Sequence, residues 1–356
     1  MELLLSKNPI FTFPYKTVKE YYRNLIEDSD EFNIATGFVT NDSLVSLDTL
    51  IRYRQKKKHP LKINLLIGMD YLEKFTRLQY DAIKELNAHL ITDKLGKVMV
   101  SKEILYHGKM YSFIKDHICD NAFIGSSNLG SFVGTSDSLI ESDVLLKGND
   151  ANLVNQQILN LYATIGTDFC NIEEITEFKE PPIHVLDHVL HVKKVSAKDL
   201  SDLKAQCIPE QSFKYELKTE EKSNLNTWNG AGKIKDKYSP RSWYEVELIM
   251  SEKESFRDKM KKLHFPYREK DQITVITDDG YEFTCSLQGG NKGKNFRSDH
   301  DLKILGKWIK GHMESAGALK LNELVTSKTL EKFGKSKLVF IPIRNTNYST
   351  WLLKME

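Results

Sequence analysis

Cysteine is scarce in this sequence and shows no pairing pattern. The 356 residues include four cysteines, which lie far apart and form no Cys-x-x-Cys pair: Cys119, Cys170, Cys207 and Cys285. This spacing argues against a disulfide framework, and the cysteines and histidines together fit none of the zinc-finger or zinc-knuckle patterns. We therefore expect four reduced thiols, each buried on its own, and no metal site.

Long apolar runs and biased composition are also missing. No stretch approaches the roughly 18 consecutive apolar residues of a membrane-spanning helix, and the start, MELLLSKNPIF, lacks the basic-then-apolar layout of a signal peptide. Hydrophobic residues at 40% and charged residues at 28% are near the averages of folded proteins, which argues against disordered and fibrous classes. The expectation is a globular cytoplasmic protein.

The length predicts two domains, because domains typically span about 150 residues. Residues 1–170 alternate helical and strand periodicity, and several strands are apolar on both faces, as in a central sheet covered by helices. We predict an α/β domain here. Its helices are expected at 17–27, 43–55, 74–89 and 151–165, and its strands at 32–39, 62–69, 105–113, 121–127 and 142–148.

Residues 171–212 are predicted to form a linker. Pro181 and Pro182 interrupt any helix there. The first part is acidic, with Glu173, Glu174, Glu177 and Glu180. Farther along, three histidines have helical spacing: His184, His188 and His191. Such a row can face a metal ion or form one side of a packed helix, and we favour the packed helix.

Residues 213–356 have the pattern of a small β-rich domain. Strands are predicted at 242–250, 272–288 and 337–343, with Asp279-Gly280 as a hairpin turn inside the second run, and helices at 300–314 and 321–333. The whole chain has a net charge of +2, but basic residues outnumber acidic ones in residues 221–356 and the reverse holds in residues 1–220. The second domain is therefore the expected binder of a polyanion.

Polar residues accompany three predicted strands of the first domain. In the His-Gly-Lys segment, the strand period places His107 and Lys109 on one face about 7 Å apart. A neutral imidazole attacks phosphorus while an ammonium neutralises a non-bridging oxygen, so this pair suits a phosphate. In Gly-Ser-Ser-Asn, Ser126 and Asn128 add a hydroxyl and an amide for the same oxygens. Glu141 is expected to begin another strand, where a carboxylate would fix the tautomer of a nucleophilic histidine.

Each of these short patterns is common by itself, but their order and spacing resemble the phospholipase D superfamily motif, His-x-Lys followed by Gly-Ser-x-Asn and a later Glu. The resemblance implies that His107 is the nucleophile and that Lys109 and Asn128 bind non-bridging oxygens. It further implies that Ser126 assists and that Glu141 orients the imidazole.

The aspartate that this superfamily usually carries five residues after the lysine is replaced here by Ile114, which points to a divergent nuclease branch. The superfamily site needs two motifs, one histidine as nucleophile and the other as acid, whereas this chain holds one. The resemblance therefore implies a homodimer in which two His107 residues face each other across a two-fold axis. It also implies that no metal is required, because paired lysines, asparagines and serines supply the stabilising charge.

Two cationic segments of the second domain, 229–245 and 288–309, contain residue types that contact DNA phosphates and base edges, although such loops are often merely solvated. The run PRSWYEVEL, followed by LQGGNKGKNFRSDHDLKILGKWIKGHM, resembles the carboxy-terminal part of the NgoFVII and BfiI type restriction endonucleases. Those enzymes join a phospholipase D-like dimeric nuclease, with a mixed central sheet, to a domain similar to the plant B-three DNA-binding pseudobarrel. The resemblance implies nine DNA-contact candidates on two arms: Lys233, Lys235, Arg241, Lys292, Lys294, Asn295, Arg297, Ser298 and Asp299.

The resemblance predicts a sequence-specific type II restriction endonuclease that hydrolyses DNA phosphodiesters without metal, through a phosphohistidine intermediate, and cuts outside its recognition site. No Walker-type motif occurs, so any ATP use belongs to a separate ATPase partner. Two other functions share some of these features: a phospholipase D-type lipid phosphodiesterase or phosphatidyltransferase, for which no acyl-binding apolar run is visible, and a non-catalytic DNA-binding regulator. The acidic linker residues are expected to mimic DNA and cover the catalytic cleft until a cognate site is bound.

Overall fold

The computed structural model describes residues 1–6, 17–133, 140–179, 185–187, 189–230, 232–234, 237–239, 241–250, 256, 258–259, 272–288, 293–344 and 349–356. The chain divides into two compact units, an N-terminal unit of Met1–Pro181 and a C-terminal unit of Pro182–Glu356. The division falls inside the segment predicted as a linker. None of the helices described in these ranges is long and apolar enough to cross a membrane.

The N-terminal unit is built on one mixed sheet. Its strands are β1 (Glu2–Leu5), β2 (Glu31–Thr36), β3 (Lys62–Ile67), β4 (Gly96–Ser101), β5 (Lys109–Lys115), β6 (Ile118–Gly125), β7 (Ser142–Lys147) and β8 (Gly166–Asp168). They lie in the order β1-β7-β6-β5-β2-β3-β4-β8. The pairs β2–β3 and β3–β4 are parallel, whereas the other neighbours are antiparallel. This confirms the predicted α/β unit with a mixed sheet.

Among the described residues of this unit, five helices accompany the sheet: α1 (Val18–Asp28), α2 (Asn41–Lys56), α3 (Arg77–Thr92), α4 (Leu129–Val133) and α5 (Asn149–Ile165). The start of α3 lies three residues after the predicted position. Thr76 explains this difference, because its side chain accepts a hydrogen bond from the backbone of Gln79 and so caps the helix.

The two faces of the sheet carry different cores. On one face, Ala151, Val154 and Ile158 of α5 pack with small and aliphatic strand residues such as Ala35 and Ala122. On the other face, aromatic rings from the strands meet rings from α1 and α4: Tyr22, Phe32, Tyr111, Phe113, Phe123 and Phe132. Both faces are thus covered, which explains why the strands lack an apolar–polar alternation.

The C-terminal unit is a strand-rich, curled half-barrel. Its strands are β9 (Lys193–Lys194), β10 (Phe213–Glu216), β11 (Gly232–Ile234), β12 (Lys237–Ser239), β13 (Leu248–Ile249), β14 (Ile273–Thr277), β15 (Tyr281–Gln288), β16 (Asn295–Ser298), β17 (Lys337–Pro342) and β18 (Thr350–Met355). The main sheet has the order β10-β17-β18-β14-β15-β16-β13, with β9 beside β15, and β11 pairs with β12. Its helices are α6 (Ala197–Ala205), α7 (Ile304–Ser315) and α8 (Ser327–Phe333).

The hairpin predicted at Asp279-Gly280 is confirmed. Gly280 has a φ of +92°, a conformation that favours glycine, and it joins the antiparallel strands β14 and β15. The predictions for 300–314 and 321–333 are confirmed as helices that begin later, at Ile304 and Ser327.

The strand predicted over 242–250 is wrong except for β13. The carbonyl groups of Trp243 and Tyr244 face a helix rather than a neighbouring strand. Lys310 Nζ donates to the Trp243 carbonyl, and a Cβ at Gly306 would lie 1.8 Å from the Tyr244 carbonyl oxygen, so α7 passes against this backbone. Both aromatic side chains are fully buried there, which accounts for the apolar signal in the sequence.

The histidine row predicted on a helix is only partly described. His184 and His188 lie outside the described residues. His191 has a φ of +65° and stacks on His300, with ring centroids 4.3 Å apart.

Candidate active site and nucleic-acid interface

The predicted catalytic residues meet at one edge of the N-terminal sheet. Thr36 at the end of β2 pairs with Lys109 at the start of β5, and Gly125 at the end of β6 pairs with Asp143 in β7. Because β5 also pairs with β6, the Thr36–Lys109 pair and the Gly125–Asp143 pair lie next to each other in the sheet. Because β7, β6, β5 and β2 are consecutive in the sheet, segments far apart in sequence end side by side.

His107 lies just outside the sheet and is exposed. It precedes β5, in a segment held by a hydrogen bond from Tyr106 N to the Gly68 carbonyl. The Phe38 ring meets the imidazole edge-on at 5.5 Å, and a Cβ at Gly37 would lie 3.2 Å from both Cα and Cδ2 of His107. The loop after β2 therefore packs tightly against the imidazole at Gly37, where a side chain would require a shift of a few tenths of an ångström.

His107 and Lys109 are in direct contact. Lys109 Nζ lies 3.0 Å from His107 Nε2 and donates to the His107 carbonyl at 2.7 Å. The predicted separation of about 7 Å on an extended strand is therefore wrong, because β5 begins at Lys109 and His107 is not in the strand. Lys109 is 7% exposed, and loss of solvent lowers the pKa of its ammonium, an effect that the nearby charge of Glu141 opposes.

Ser126, Asn128 and Glu141 lie along the same edge. The Ser126 hydroxyl donates to a Glu141 carboxylate oxygen at 2.5 Å and accepts from Ser142 N. Asn128 Oδ1 accepts from Thr36 Oγ1 at 3.2 Å and from Phe38 N at 3.4 Å, in the loop that packs on His107. The described partner of the Glu141 carboxylate is thus Ser126, and its role in orienting the imidazole stays a prediction.

Asp143 is a residue of the site that the sequence patterns did not single out. Its buried carboxylate accepts from Ser127 N at 3.1 Å and from Ser127 Oγ at 2.5 Å, while Tyr111 donates its hydroxyl to the Ser127 carbonyl. A Cβ at Gly125 would lie 2.3 Å from an Asp143 oxygen. Burial raises the pKa of Asp143, against the lowering effect of the Ser127 hydrogen bonds. The signal available in the sequence was the second serine of Gly-Ser-Ser-Asn and an aspartate two residues after Glu141.

Ile114, the departure from the superfamily motif, lies at the other end of β5 from the site. It lies five residues after Lys109 along the strand, which corresponds to roughly 17 Å. Its buried side chain packs with Cys119, Ala122 and the α5 residues. The substitution therefore changes the core of the sheet and not the edge that carries His107.

The first part of the predicted linker packs on the loop after β3. Glu177 forms an ion pair with Lys74 at 2.7 Å, and Lys179 N donates to the Phe75 carbonyl. The contact with Lys74 lowers the pKa of Glu177. Glu173 and Glu174 are exposed, and Glu180 lies outside the described residues. Covering of the catalytic cleft by these glutamates stays a prediction.

The predicted DNA-contact residues of the C-terminal unit differ in their accessibility. Ser298 is fully buried and donates to the Asp301 carbonyl. Arg241 lies 3.9 Å from Glu245, whose pKa is raised by burial, and Asp299 accepts from Ser286 at 2.5 Å. Asn295 and Arg297 both approach Glu247. Lys294 is half-buried, Lys233 lies in β11, and Lys235 and Lys292 lie outside the described residues.

Within the described residues, no group of three or more His, Cys, Asp or Glu side chains is arranged to hold a metal ion. The polar donors at the sheet edge instead include a lysine, a serine and an asparagine, which are suited to anionic oxygens.

Two family models match the chain. The NgoFVII restriction endonuclease N-terminal PLD (phospholipase D) domain matches residues 16–177, and the NgoFVII C-terminal B3-like DNA-binding domain matches residues 203–344. No curated protein matches this chain.

Solved structures that are similar to it include a phospholipase D family member and a phosphatidylserine synthase. The phospholipase D family member Nuc from Salmonella typhimurium has 12% identity and a TM-score of 0.32, with 47% of this chain and 96% of Nuc covered. The phosphatidylserine synthase of Haemophilus influenzae Rd KW20 has 12% identity and a TM-score of 0.33, with 53% of this chain and 42% of the synthase covered.

A phospholipase D-like domain followed by a B3-like domain defines a class of DNA-binding phosphodiesterases. The chain belongs to the NgoFVII restriction endonuclease family, which confirms the resemblance found in the sequence. It is thus a nuclease of the phospholipase D type with DNA as its partner.

Proposed function

We propose that this chain is a sequence-specific type II restriction endonuclease that cleaves DNA without metal, through a phosphohistidine at His107. The observation that carries the proposal is the contact between an exposed imidazole and a buried ammonium, with 3.0 Å between Lys109 Nζ and His107 Nε2. An ammonium has only hydrogens to donate, so it faces the lone pair of an unprotonated Nε2. The same lone pair is the nucleophile.

Arrival of a phosphodiester separates the two groups. Lys109 turns from the imidazole to a non-bridging oxygen, and Nε2 attacks phosphorus, forming the P–N bond as the P–O bond to the leaving oxygen breaks. In the second copy Lys109 has likewise turned away from the imidazole, and His107 carries a proton on Nε2, which it donates to that oxygen. Neutral again, it takes a proton from water, whose oxygen attacks phosphorus and breaks the P–N bond.

The low exposure of Lys109 favours its move from the imidazole to the phosphate, because a poorly solvated ammonium is stabilised more by an anionic oxygen than a hydrated ammonium is. Asn128 binds a second non-bridging oxygen through its Nδ2, since its Oδ1 faces Thr36 and Phe38. Ser126, whose hydroxyl is hydrogen-bonded to the Glu141 carboxylate, assists in binding the phosphate. The same carboxylate orients the imidazole in the dimer.

The dimer is required because each chain carries one such histidine motif. Four large apolar side chains near the sheet edge are 41–58% exposed: Ile104, Leu105, Ile124 and Ile140. Two of them precede His107 in its loop, and the other two adjoin Gly125 and Glu141. We assign these residues to the contact between two copies, because an isologous contact around this edge places the two imidazoles face to face.

The B3-like domain supplies sequence recognition. Reading and cutting belong to different domains, so cleavage falls outside the recognition site. We propose that this chain uses no cofactor of its own, and that any ATP use belongs to a separate ATPase partner.

The test is cleavage of plasmid DNA in excess EDTA by the wild-type chain and by His107→Ala. His117→Ala is the matched control, because His117 is also exposed but lies in the turn at the far end of β5. We expect discrete EDTA-resistant fragments from the wild type and the control, and none from His107→Ala. With end-labelled DNA, an acid-labile protein–DNA adduct should form under the same conditions. Cutting that requires Mg²⁺, or that survives loss of His107, contradicts the mechanism.

A further inference from the structure

Strand β16 presents two of the DNA-contact candidates on one face. Phe296 and Ser298 are fully buried, whereas the alternating residues Asn295 and Arg297 point outward and are half-buried. Side chains two residues apart on a strand are about 7 Å apart, which is close to two steps of a DNA duplex. The pair therefore has the spacing to read two base pairs that are two steps apart.

Glu247 holds both of these side chains. Strand β13 pairs antiparallel with β16, Leu248 opposite Phe296, so the residue before β13 faces Arg297. Asn295 Nδ2 donates to Glu247 Oε1 at 3.1 Å, and Arg297 Nη1 lies 3.9 Å from the same oxygen. The Glu247 side chain is 20% exposed, so it is largely shielded from solvent.

An ionised carboxylate accepts hydrogen bonds and donates none, so it fixes the orientation of the Asn295 amide. With Nδ2 turned toward Glu247, one N–H and the Oδ1 remain for a base, which is the donor–acceptor pair that recognises adenine N7 and N6. The guanidinium of Arg297 is restrained through Nη1 and keeps its other N–H groups for the paired acceptors of guanine.

The same carboxylate opposes binding of DNA in general. A negative charge beside two contact residues repels phosphates and keeps Arg297 from binding a phosphate regardless of sequence. Its presence therefore lowers affinity for non-cognate DNA while it orients the residues that read bases.

We propose that Glu247 is a positioning residue that sets the base discrimination of the C-terminal domain by orienting Asn295 and Arg297 and by disfavouring sequence-independent contacts. This inference rests on the proposed function, since it assumes that β16 contacts DNA.

The test uses the full chain and a pool of duplexes with a randomised 20-base-pair centre, selected with the wild type and with Glu247→Gln. Binding of the wild-type-selected duplex and of a scrambled duplex is then measured at several salt concentrations. Glu216→Gln is the matched control, because Glu216 pairs with Lys337 on the exposed edge of the same unit.

Glu247→Gln should lose preference at one base pair or at two base pairs that are two steps apart, and its ratio of selected to scrambled affinity should fall about tenfold, the value of one good base contact. Its affinity for the scrambled duplex should rise, with a steeper salt dependence. Glu247→Asp keeps the charge but shortens the reach, so it should relax the same positions without gaining affinity for scrambled DNA.

The inference is overturned if the wild type and Glu247→Gln select the same sequences, or if the affinities for the selected and the scrambled duplex change by the same factor. Either result leaves the proposed function intact. If the wild type selects no sequence from the pool, the proposed site-specific recognition is wrong and the inference falls with it.

Discussion

The buried contact between Asp143 and Ser127 allows a quantitative prediction for the active site. Asp143 is 1% exposed, and Asp143→Ala removes the two hydrogen bonds that its carboxylate accepts. The Ser127 N–H and hydroxyl thereby lose this acceptor. Hydrogen bonds to a charged group are each worth about 1.5–3 kcal/mol, and relief of the desolvation that raises the Asp143 pKa offsets part of the loss. We expect a decrease of about 2–4 kcal/mol in the free energy of unfolding.

Cleavage should fall as well, because Ser127 lies between two residues of the site. Released from Asp143, the turn no longer holds Asn128 against Thr36 and Phe38, and a displacement of about 1 Å at a reacting group costs on the order of a hundredfold in rate. Asp143→Asn keeps an acceptor for Ser127 N and has the same shape, so it should retain most of the stability and activity.

Urea unfolding and single-turnover cleavage in EDTA check both effects, for each single variant and for Ser127→Ala/Asp143→Ala. A coupling of about 1–2 kcal/mol between the two positions is expected. Asp81→Ala, which removes an exposed ion pair with Arg77, serves as the control and should change stability by less than about 0.5 kcal/mol. If the single effects at 127 and 143 simply add, Asp143 does not act through Ser127.

Three further predictions concern pH, the acidic segment and the dimer. Burial raises the Asp70 pKa from 3.8 to about 6, so the contribution of this group to stability is fully present below pH 4 and is lost as the pH rises through 6. The loss amounts to at most about 3 kcal/mol; Asp70→Asn should flatten urea-unfolding free energies across this window, and an unchanged slope would contradict the assignment. Neutralising the acidic segment with glutamines at 173, 174 and 177 should increase cutting of non-cognate plasmid in EDTA, whereas unchanged background cleavage would refute the covering role. Ile104→Asp/Ile124→Asp should sediment as a monomer without cleavage activity, while Ile91→Asp, at an exposed site on α3, should remain dimeric; a dimeric double variant would place the contact elsewhere.

Predictions from the sequence were most accurate where local chemistry decides the structure. The Asp279-Gly280 turn was identified because its glycine is the residue that tolerates a φ of +92°. Helices α1, α2 and α5 followed from apolar spacing, and the motif residues from His107 to Glu141 were identified by their order along the chain. These features depend on neighbours within a few residues or on side-chain type, and both are visible in one sequence.

Long-range packing decided the rest. Periodicity could not show that β5 begins at Lys109, because the chain before it is held by Gly68 and packs on Gly37, which lie in the loops after β3 and β2. Periodicity also led to the wrong strand prediction for 242–250, because the buried aromatic residues there contact α7 and not a neighbouring strand. An apolar pattern reports that a segment is buried, but it does not identify the element that covers it.

The sequence by itself thus determined the order of two domains, the residue types of a phosphate-binding edge and the family to which they belong. Only the tertiary structure decided that Lys109 contacts His107, that Asp143 holds the Gly-Ser-Ser-Asn turn and that Glu247 holds Asn295 and Arg297. The physical reason is that a hydrogen bond depends on distances of a few ångströms between atoms. Strand register and packing set these distances among residues that are up to 50 positions apart in the chain.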